Sequence, residues 1–475
     1  MARETLPQIL ESRTYDDIAL GDSAELTRTL RPEDIQLFAV MSGDANAGDV
    51  DPEFAQSGLF RDVVAHGMWS ASLISTVLGT QLPGPGTLLL EHSLRFLRPV
   101  SLGDTIHIVV TAREKFAHNR HIVFDCECRN QEGQSVVSGS AEVLAPTQKY
   151  RTRRAALPEV TISDRYARLQ TLLARASGLP PVDMAVVHPC DAESLGGALA
   201  AAEAGLITPI LVGPAAKIRA VAAENALDLA AHRLVDVPHS HAAAAMAVSL
   251  TRNGDAAALM KGSLHTDELM AEVVARSSGL RTERRISHVF VMDVPTYPRP
   301  ILITDAAVNI APSLAEKRDI IQNAIDFAQI IGVPTPKVAI LSAVETVNPS
   351  LPSTLDAAAL CKMADRRQIT GGLLDGPLAF DNAVSLVAAK SKGIHSAVAG
   401  QADILVVPDL ESGNMLAKQL EYLANALTAG IVLGARVPIV LTSRADTCET
   451  RIASCVLAVL IAHANPPANH TENTR

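Results

Sequence analysis

The feature that most constrains this chain is a series of short, wholly apolar runs that alternate with alanine-rich amphipathic stretches after about residue 180. Strands that are apolar on both faces and separated by helices are typical of parallel strands covered by helices on both sides. The pattern therefore predicts a doubly wound α/β sheet, in which ligands bind at the carboxyl ends of strands. The runs are MAVVHP, ITPILVG, HVFVMDV, ILITDAA, KVAILSA, ADILVVPD and VPIVLTSR.

The first part of the chain has a different pattern. Residues 66–82, HGMWSASLISTVLGTQL, carry apolar side chains at helical spacing. Residues 105–111 and 137–143 instead alternate apolar and polar side chains, which is typical of strands with one buried face. One apolar helix followed by several such strands predicts an α+β unit with its sheet wrapped around the helix.

The stretch between the two patterns, residues 145–164, is polar, basic and marked by proline, and it lacks apolar periodicity. At 475 residues the chain exceeds one ordinary domain, so two or three domains are expected. We predict a first domain at 1–146, a linker at 147–165, a second domain at 166–464 and a C-terminal tail at 465–475.

Charge and cysteine content exclude several classes of function. The formal net charge of −10 argues against a nucleic-acid partner, because nucleic acid needs a basic stripe. The six cysteines include no CxxC pair and no metal-ligand spacing with histidine, so we expect reduced thiols and no metal. The N-terminus lacks a signal-peptide core, and the run CVLAVLIAHA is about half the length that crosses a bilayer. We expect a cytoplasmic protein without a membrane partner.

Polar residues follow several of the predicted buried strands. Ser443 and Arg444 stand where the run VPIVLTSR ends, and an arginine there can hold a phosphate or carboxylate with two hydrogen bonds. The alternative is a capping serine beside a surface arginine. Gly413 and Asn414 predict a tight turn and a close approach of ligand to backbone. Residues 375–383, DGPLAFDNA, predict a turn followed by two aspartates.

Seven stretches between residues 254 and 461 carry a family resemblance: ALMKGSLHTDEL, LRTERRISHVFVMDVP, ITDAAVNIAP, KVAILSAVETVNPSLPST, GLLDGPLAFDNAVS, AGQADILVVPDLESGNM and PIVLTSRAD. Their order and spacing resemble the phosphotransacylases, and most closely the phosphate butyryltransferase branch. The resemblance extends more loosely back to residues 186–214. It implies a doubly wound α/β domain of the isocitrate/isopropylmalate dehydrogenase type.

The phosphotransacylases interconvert acyl-CoA plus phosphate with acyl phosphate plus CoA. By resemblance, Ser443 hydrogen-bonds the developing tetrahedral oxyanion and Arg444 holds the phosphoryl group. CoA and phosphate enter as substrates, and no bound cofactor or metal is implied. The residues implied to shape the substrate cleft are Asp305, Asn309, Asp375, Asp381, Gly413 and Asn414.

The chain departs from the family pattern at two places. Thr450 stands where the acetyl-specific branch has a catalytic aspartate seven residues after the serine, so the base is Asp446 or no side chain at all. Met270 stands where many relatives carry an arginine that contributes to the phosphate site. Three arginines lie close to it in sequence: Arg281, Arg284 and Arg285.

Residues 38–100 resemble a second family. The stretches FAVMSGDANAGDVDPEFA, HGMWSAS and LEHSLRFLRPVSLGDTI are similar to the MaoC-like, hotdog-fold (R)-specific enoyl-CoA hydratases. The loop of that family reads Gly-Asp-x-Asn-Pro-x-His-x-Asp. Its Asp and His activate a water molecule, and backbone N–H groups near the following helix start, here Gly67, steady the thioester enolate.

The hydratase loop is only partly matched. Gly43, Asp44, Asn46 and Asp51 match the family, whereas Ala47 replaces the proline and Asp49 replaces the catalytic histidine. We predict Asp44 and Asp49 as catalytic and Asn46 as substrate-binding. Two carboxylates in one small pocket cannot both ionise cheaply, so they could share a proton. The alternative is a domain that binds acyl-CoA or only builds the oligomer. His66 is expected to be a helix cap or a packing residue.

The two resemblances together predict a bifunctional layout, in which both domains recognise acyl-CoA thioesters. The leading hypothesis is a phosphotransacylase for short-chain acyl-CoA with an N-terminal hydratase-like domain. The second hypothesis keeps both activities, and the third is an acyl-CoA sensor without turnover. Both families imply a homo-oligomer, a dimer or larger, with acyl-CoA and phosphate as the partners.

Overall fold

The structure of the protein is a computed structural model. It describes residues 9–44, 65–156, 160, 167–443 and 446–465. The chain divides into two compact units, Met1–Ser163 and Asp164–Arg475. Each unit is described by itself.

The N-terminal unit is an antiparallel sheet around one helix. Strands β2 to β6 form a five-stranded sheet in the order β2-β4-β5-β6-β3, and β1 pairs with β7. The elements are β1 (Ile9–Glu11), β2 (Ser23–Thr29), α1 (Pro32–Ser42), α2 (Gly67–Thr80), β3 (Leu88–Phe96), β4 (Thr105–Phe116), β5 (His121–Arg129), β6 (Ser135–Leu144) and β7 (Arg151–Arg153), with a 3-10 turn at Tyr15–Asp17.

The core of this unit follows from the alternation in the sequence. Ile106 and Ile108 on β4 point to one face of the sheet and are fully buried. They share one apolar cluster with Ile74 and Val77 of α2. Because the helix lays its apolar face on the sheet, the predicted α+β unit of hotdog type is confirmed.

The C-terminal unit contains one eleven-stranded sheet in the order β10-β9-β8-β11-β18-β17-β12-β13-β16-β14-β15. Its strands are β8 (Val182–Val187), β9 (Ile207–Gly213), β10 (Arg233–Asp236), β11 (Ala258–Lys261), β12 (Ser287–Asp293), β13 (Ile301–Thr304), β14 (Lys337–Leu341), β15 (Leu373–Leu378), β16 (Ile404–Val406), β17 (Leu427–Leu433) and β18 (Ile439–Val440).

The helices of this unit follow most of the strands along the chain. They are α3 (Ala167–Ala176), α4 (Ala192–Glu203), α5 (Ala215–Glu224), α6 (Ser240–Arg252), α7 (Thr266–Val274), α8 (Leu314–Ile330), α9 (Pro352–Asp365), α10 (Phe380–Val384), α11 (Leu386–Ser391), α12 (Leu410–Leu423) and α13 (Cys448–Ala464). In the part of the chain that the structure describes, no helix is both long and apolar enough to cross a bilayer.

The prediction of a wholly parallel sheet is wrong at its centre. Strand β12 runs antiparallel to both of its neighbours, β13 and β17, and β17 runs antiparallel to β18. Five parallel strands therefore run one way on one side and four run the opposite way on the other. The run HVFVMDV is buried on both faces, as in a parallel strand, but burial alone does not fix direction. The short connection between β17 and β18 requires an antiparallel pair.

The two faces of this sheet are packed differently. On one face, Val289 and Ile431 of the central strands belong to a single apolar cluster that also holds Met184 and Ile340 from the two outer halves. On the other face the core splits into two separate clusters. Of the β12 side chains that point to the split face, Met292 belongs to one of these clusters and Phe290 packs against it, whereas His288 belongs to neither. The split produces a cleft over the middle of the sheet.

Candidate active site

The cleft encloses a cavity of about 410 Å³. Its apolar lining includes Leu264, Phe290 and Leu441. The polar side chains around it include Lys261, His288, Asn414, Lys418, Ser443 and Asp446. Because they come from β11, β12, α12 and the segment after β18, the two halves of the sheet both contribute. Of the predicted site residues, the structure brings Ser443 and Asn414 together here.

The imidazole of His288 forms the floor of the cleft and is uncharged near neutral pH. His288 is fully buried, and neither of its ring nitrogens has a hydrogen-bond partner within the described residues. Burial lowers the pKa of His288 to about 3, against a weaker opposing effect of the Leu441 carbonyl. The ring of Phe290 packs edge-on against it, with centroids 4.4 Å apart. The sequence did not predict His288 as a site residue, because a single polar residue at the start of the apolar run HVFVMDV carries no sign that it faces a cavity.

Gly430 on β17 lies against this floor. A Cβ atom at Gly430 would lie 2.6 Å from the Leu441 carbonyl oxygen and 3.1 Å from Nε2 of His288. Only glycine lets the two central strands and the imidazole approach this closely. The position therefore determines the depth of the cleft floor.

The loop that carries Ser443 is fixed by side chains on both sides. The Ser443 N–H donates to Oδ2 of Asp446 at 2.7 Å, and its carbonyl accepts from Nη2 of Arg451 at 3.0 Å. Nη1 of the same arginine donates to the Thr442 hydroxyl at 2.7 Å. Arg451 is buried on α13 and packs against Gly197, which leaves it little freedom. The backbone that presents Ser443 to the cleft is therefore preorganised.

Asp446 is a buried carboxylate in the wall of the cleft. Burial raises the pKa of Asp446, while the Ser443 N–H and the ammonium of Lys418, 4.0 Å from Oδ1, oppose that shift. Lys418 itself is bonded to Glu421 at 2.8 Å. The structure thus places the base candidate named in the sequence directly beside Ser443.

A second cation lies at the cleft. Lys261, the last residue of β11, is buried, and its Nζ lies 3.3 Å from the Thr442 carbonyl. Lysine is rarely buried unless its ammonium is paired or binds an anion. The sequence did not single out Lys261, although a lysine that ends a four-residue buried strand is unusual.

Asp305 and Asn309 lie under the cleft and do not line it within the described residues. Asp305 is buried, which raises its pKa, and it accepts hydrogen bonds from the N–H groups of His288, Ala307 and Val308 and from Asn309. These bonds hold the loop after β13 onto the strand that carries His288. Their role in substrate binding stays a prediction, and the geometry favours positioning.

The tight turn predicted at Gly413 and Asn414 is wrong, because both residues lie inside α12. A Cβ atom at Gly413 would lie 2.9 Å from the Asp305 carbonyl oxygen, so this glycine allows the helix to approach the loop after β13. The Asn414 side chain donates to the Ala306 carbonyl at 3.2 Å. The sequence predicted a close approach of ligand to backbone at Gly413. In the structure, it is the protein backbone after β13 that comes close to this glycine.

Asp375 and Asp381 do not line the cleft in the described structure. Asp375 lies on β15, at the edge of the sheet and separated from β12 by three strands. The turn predicted there is wrong, because the sequence forms a strand and then the short helix α10. Asp381 is exposed and lies 3.8 Å from Lys392.

The two positions that depart from the family pattern do not line the cleft within the described ranges. Thr450 lies in the first turn of α13 and Met270 is buried in α7. Arg284 pairs with Asp326, and Arg285 with Glu316. Arg281 forms a backbone bridge with Ala435.

A larger cavity, of about 460 Å³, is lined by Arg284, Asp326 and Arg436, among others. It lies against α8 and the connection between β17 and β18, and it contains neither Ser443 nor Asp446. The smaller cavity is the one lined by the predicted site residues Ser443 and Asn414. Among the described residues, no group of three or more His, Cys, Asp or Glu side chains could hold a metal ion.

In the N-terminal unit, Asp44 meets His66. Nε2 of His66 lies 3.2 Å from Oδ2 of Asp44, and its Nδ1 accepts the Met68 N–H at 3.1 Å. Because Nδ1 is an acceptor, the ring proton is on Nε2 and faces Asp44. The ring also stacks on Phe38 at 5.1 Å. The predicted cap is present, whereas the pair with Asp44 was not foreseen.

Gly67 begins α2, and a Cβ atom there would lie 3.1 Å from the ring of Phe96. Three predicted site residues lie outside the described residues: Asn46, Asp49 and Arg444. Nothing in the structure bears on them.

The cleft lies where the strands of the sheet reverse direction, and a serine, a buried lysine and a buried carboxylate line it. A cleft with convergent polar groups at such a place in an α/β fold is where an enzyme of this class would bind its ligand. Residues 239–459 match the phosphate acetyl/butaryl transferase family. The chain is 65% identical to the phosphate acetyltransferase of Rhizobium meliloti over 296 residues, 62% of this chain and 94% of that protein. The chain therefore belongs to the phosphate acetyl/butaryl transferase family and is an enzyme of the phosphate acyltransferase class.

Two further comparisons agree. The chain is 43% identical to the phosphate butyryltransferase of Clostridium acetobutylicum, over 54% of this chain and 86% of that protein. A branched-chain phosphotransacylase from Enterococcus faecalis V583 superposes with a TM-score of 0.53 at 31% identity, covering 59% of this chain and 99% of that chain.

The N-terminal unit matches a different family. Residues 19–130 match the MaoC like domain family, so the N-terminal unit contains a MaoC-like domain.

Proposed function

We propose that the C-terminal unit transfers short-chain acyl groups reversibly between CoA and phosphate. The observation that carries this proposal is the Ser443 loop, which Asp446 and Arg451 hold rigidly at the cleft. The high identity to phosphate acetyltransferases and the likeness to butyryltransferases support the same reaction.

In the direction of acyl phosphate formation, a phosphate oxygen attacks the thioester carbonyl carbon, and the C–S bond then breaks. Ser443 donates its hydroxyl hydrogen bond to the oxyanion of the tetrahedral intermediate. Arg444 binds the phosphoryl oxygens, and Lys261 adds a positive charge at the cleft. Met270, which replaces the family arginine, supplies no charge. Much of the acceleration comes from holding two anionic substrates in line.

The finer features of the layout are proposals of the same kind. We propose domain limits at 1–146 and 166–464, an isocitrate/isopropylmalate dehydrogenase-like topology for the second domain, a homo-oligomer and a cytoplasmic location. The mixed eleven-stranded sheet with its cleft at the reversal of strand direction supports the topology. Superposition on a solved structure of that dehydrogenase class tests it.

The test of the main activity uses the full chain with butyryl-CoA or acetyl-CoA and phosphate, and follows the released thiol. We expect thiol release that requires phosphate. Ser443→Ala should lower kcat by roughly 10²- to 10³-fold, the usual cost of one oxyanion donor. Ser412→Ala, on α12, is the matched control. Acyl-CoA binding without turnover in the wild type would instead favour the sensor hypothesis.

A second candidate function is hydration of a short 2-enoyl-CoA by the N-terminal unit. The observation that favours it is the pair of Asp44 and His66, because a carboxylate oriented by an imidazole N–H can activate water. Loss of the conjugated enoyl absorbance of crotonyl-CoA measures it. We expect Asp44→Asn to abolish this loss, whereas Asp104→Asn, elsewhere in the same unit, should retain it. Wild-type protein that leaves crotonyl-CoA unchanged would refute it.

A further inference from the structure

We propose that Asp446 is the proton-transfer residue of the phosphotransacylase cleft, in place of the aspartate that Thr450 replaces. In the direction of thioester formation, Asp446 removes the proton from the CoA thiol. In the opposite direction it returns that proton to the departing thiolate. This inference rests on the proposed function and names the residue that performs its proton step.

The two oxygens of Asp446 have different surroundings. Oδ2 accepts a hydrogen bond from the Ser443 N–H at 2.7 Å, which orients the carboxylate beside the loop that carries Ser443. Oδ1 lies 4.0 Å from Nζ of Lys418, which is beyond hydrogen-bond distance. No hydrogen bond to Oδ1 occurs within the described parts of the chain. One oxygen therefore orients the group and the other is left to take a proton.

The charges around Asp446 suit a proton acceptor. Burial is the largest effect and raises its pKa, and Glu421 on α12 adds to that rise. Lys418 on α12, Arg451 on α13 and the Ser443 N–H act in the opposite direction. A general base works best when its pKa is near the operating pH, so a raised pKa makes this carboxylate a better acceptor than an exposed one.

Two other titratable groups near the cleft, His288 and Glu421, are less suited. His288 has a pKa of about 3 and is fully buried, so it is a poor proton acceptor. Glu421 is bonded to Lys418 at 2.8 Å. A threonine hydroxyl such as that of Thr450 is too weak a base to remove a thiol proton near neutral pH.

The S–H bond of CoA breaks, its proton passes to Oδ1 of Asp446, and the thiolate forms a C–S bond to the carbonyl carbon of the acyl phosphate. The tetrahedral intermediate collapses by breaking the C–O bond to phosphate, which leaves as the anion. The proton on Asp446 then passes to solvent or phosphate, and the carboxylate is regenerated. No electron transfer or further reactant is needed.

The test compares Asp446→Asn with wild type in the full chain, with acetyl phosphate or butyryl phosphate and CoA, between about pH 6.5 and 9.5. Asparagine keeps an oxygen that accepts the Ser443 N–H, so the loop retains its position. We expect a loss of about 10²- to 10⁴-fold in kcat/KM at the low end, the range of general-base contributions. The loss should shrink as pH rises through about 8.5, where thiols ionise without a base.

Ser443→Ala is the matched control, because an oxyanion donor should matter equally at every pH. A loss in Asp446→Asn that is uniform with pH would overturn the proposal and make Asp446 a positioning residue. Unchanged kinetics would overturn it as well. Wild-type protein that consumes no CoA thiol at any pH overturns the proposed function and this inference together. A melting temperature of Asp446→Asn at or above that of wild type excludes misfolding as the cause of a loss.

Discussion

Each unit has an aspartate at its candidate site, and the two aspartates differ in their exposure to solvent and in their hydrogen-bond partners. The side chain of Asp44 is 42% exposed and faces the imidazole of His66, whereas that of Asp446 is 7% exposed and is bonded to a backbone N–H. Burial raises the pKa of Asp446. A carboxylate beside solvent can direct a water molecule, and a buried one can exchange a proton with a substrate from which water is excluded. The same residue type thus suits two chemistries because its surroundings differ.

The first of three further tests, and the one with the largest expected effect among them, asks whether the C-terminal site depends on its floor. Gly430→Ala should lower thiol release by at least about 100-fold, because the added Cβ displaces the Leu441 carbonyl or His288 by a fraction of an ångström, and small displacements near the chemistry are costly. Gly196→Ala on α4 is the control, because nothing lies within 4 Å of its Cβ and helical alanine is favoured. Equal activity of the two variants would show that the floor tolerates change.

A smaller effect tests the N-terminal side of the comparison. His66→Asn should lower crotonyl-CoA hydration by about tenfold, since asparagine can still cap α2 but no longer donates an imidazole N–H to Asp44. Thiol release from butyryl-CoA is the internal control and should not change. Loss of both activities in parallel would show that His66 supports the fold and not the site.

The smallest effect is on stability and follows from the raised pKa of Asp446. A folded-state pKa above the ordinary value of 3.8 means that the native state binds more protons, so the ionised carboxylate costs stability as pH rises through the folded pKa. Asp446→Asn lacks that cost and should melt slightly above wild type at pH 7. The difference should vanish at about pH 3 in parallel thermal melts, where both proteins are neutral at this position. A lower melting temperature at pH 7 would contradict the assigned burial cost.

Several elements of the fold were readable from local pattern. The apolar runs gave seven of the buried strands, and the period-2 segments gave β4 and β6, because side-chain alternation and burial are local consequences of strand geometry. Strands β10, β11, β15 and β17 were missed or taken as turns. In β15 the Gly376–Pro377 pair resembles turn chemistry, yet the strand lies at the edge of the sheet, where proline is tolerated.

The candidate site was only partly readable. Ser443 and Asn414 were found from their motifs and do lie at the cleft. Lys261 and His288 were not, since nothing local marks a buried polar side chain inside an apolar run as facing a cavity. Asp375 and Asp381 share motifs with the site residues, but the order of strands in the sheet places them away from the cleft.

The sequence by itself determined the existence of the two units, seven of the buried strands of the second unit, the strands β4 and β6 of the first, and the family of the second unit. Those properties depend on periodicity and on motifs that span a few residues. Only the tertiary structure decided that the central strands run in opposite directions, that the core splits on one face, and that Asp446 and His66 lie beside their partners. Each of these depends on contacts between residues that are distant in the chain or on the burial that such contacts create, and local pattern does not carry that information.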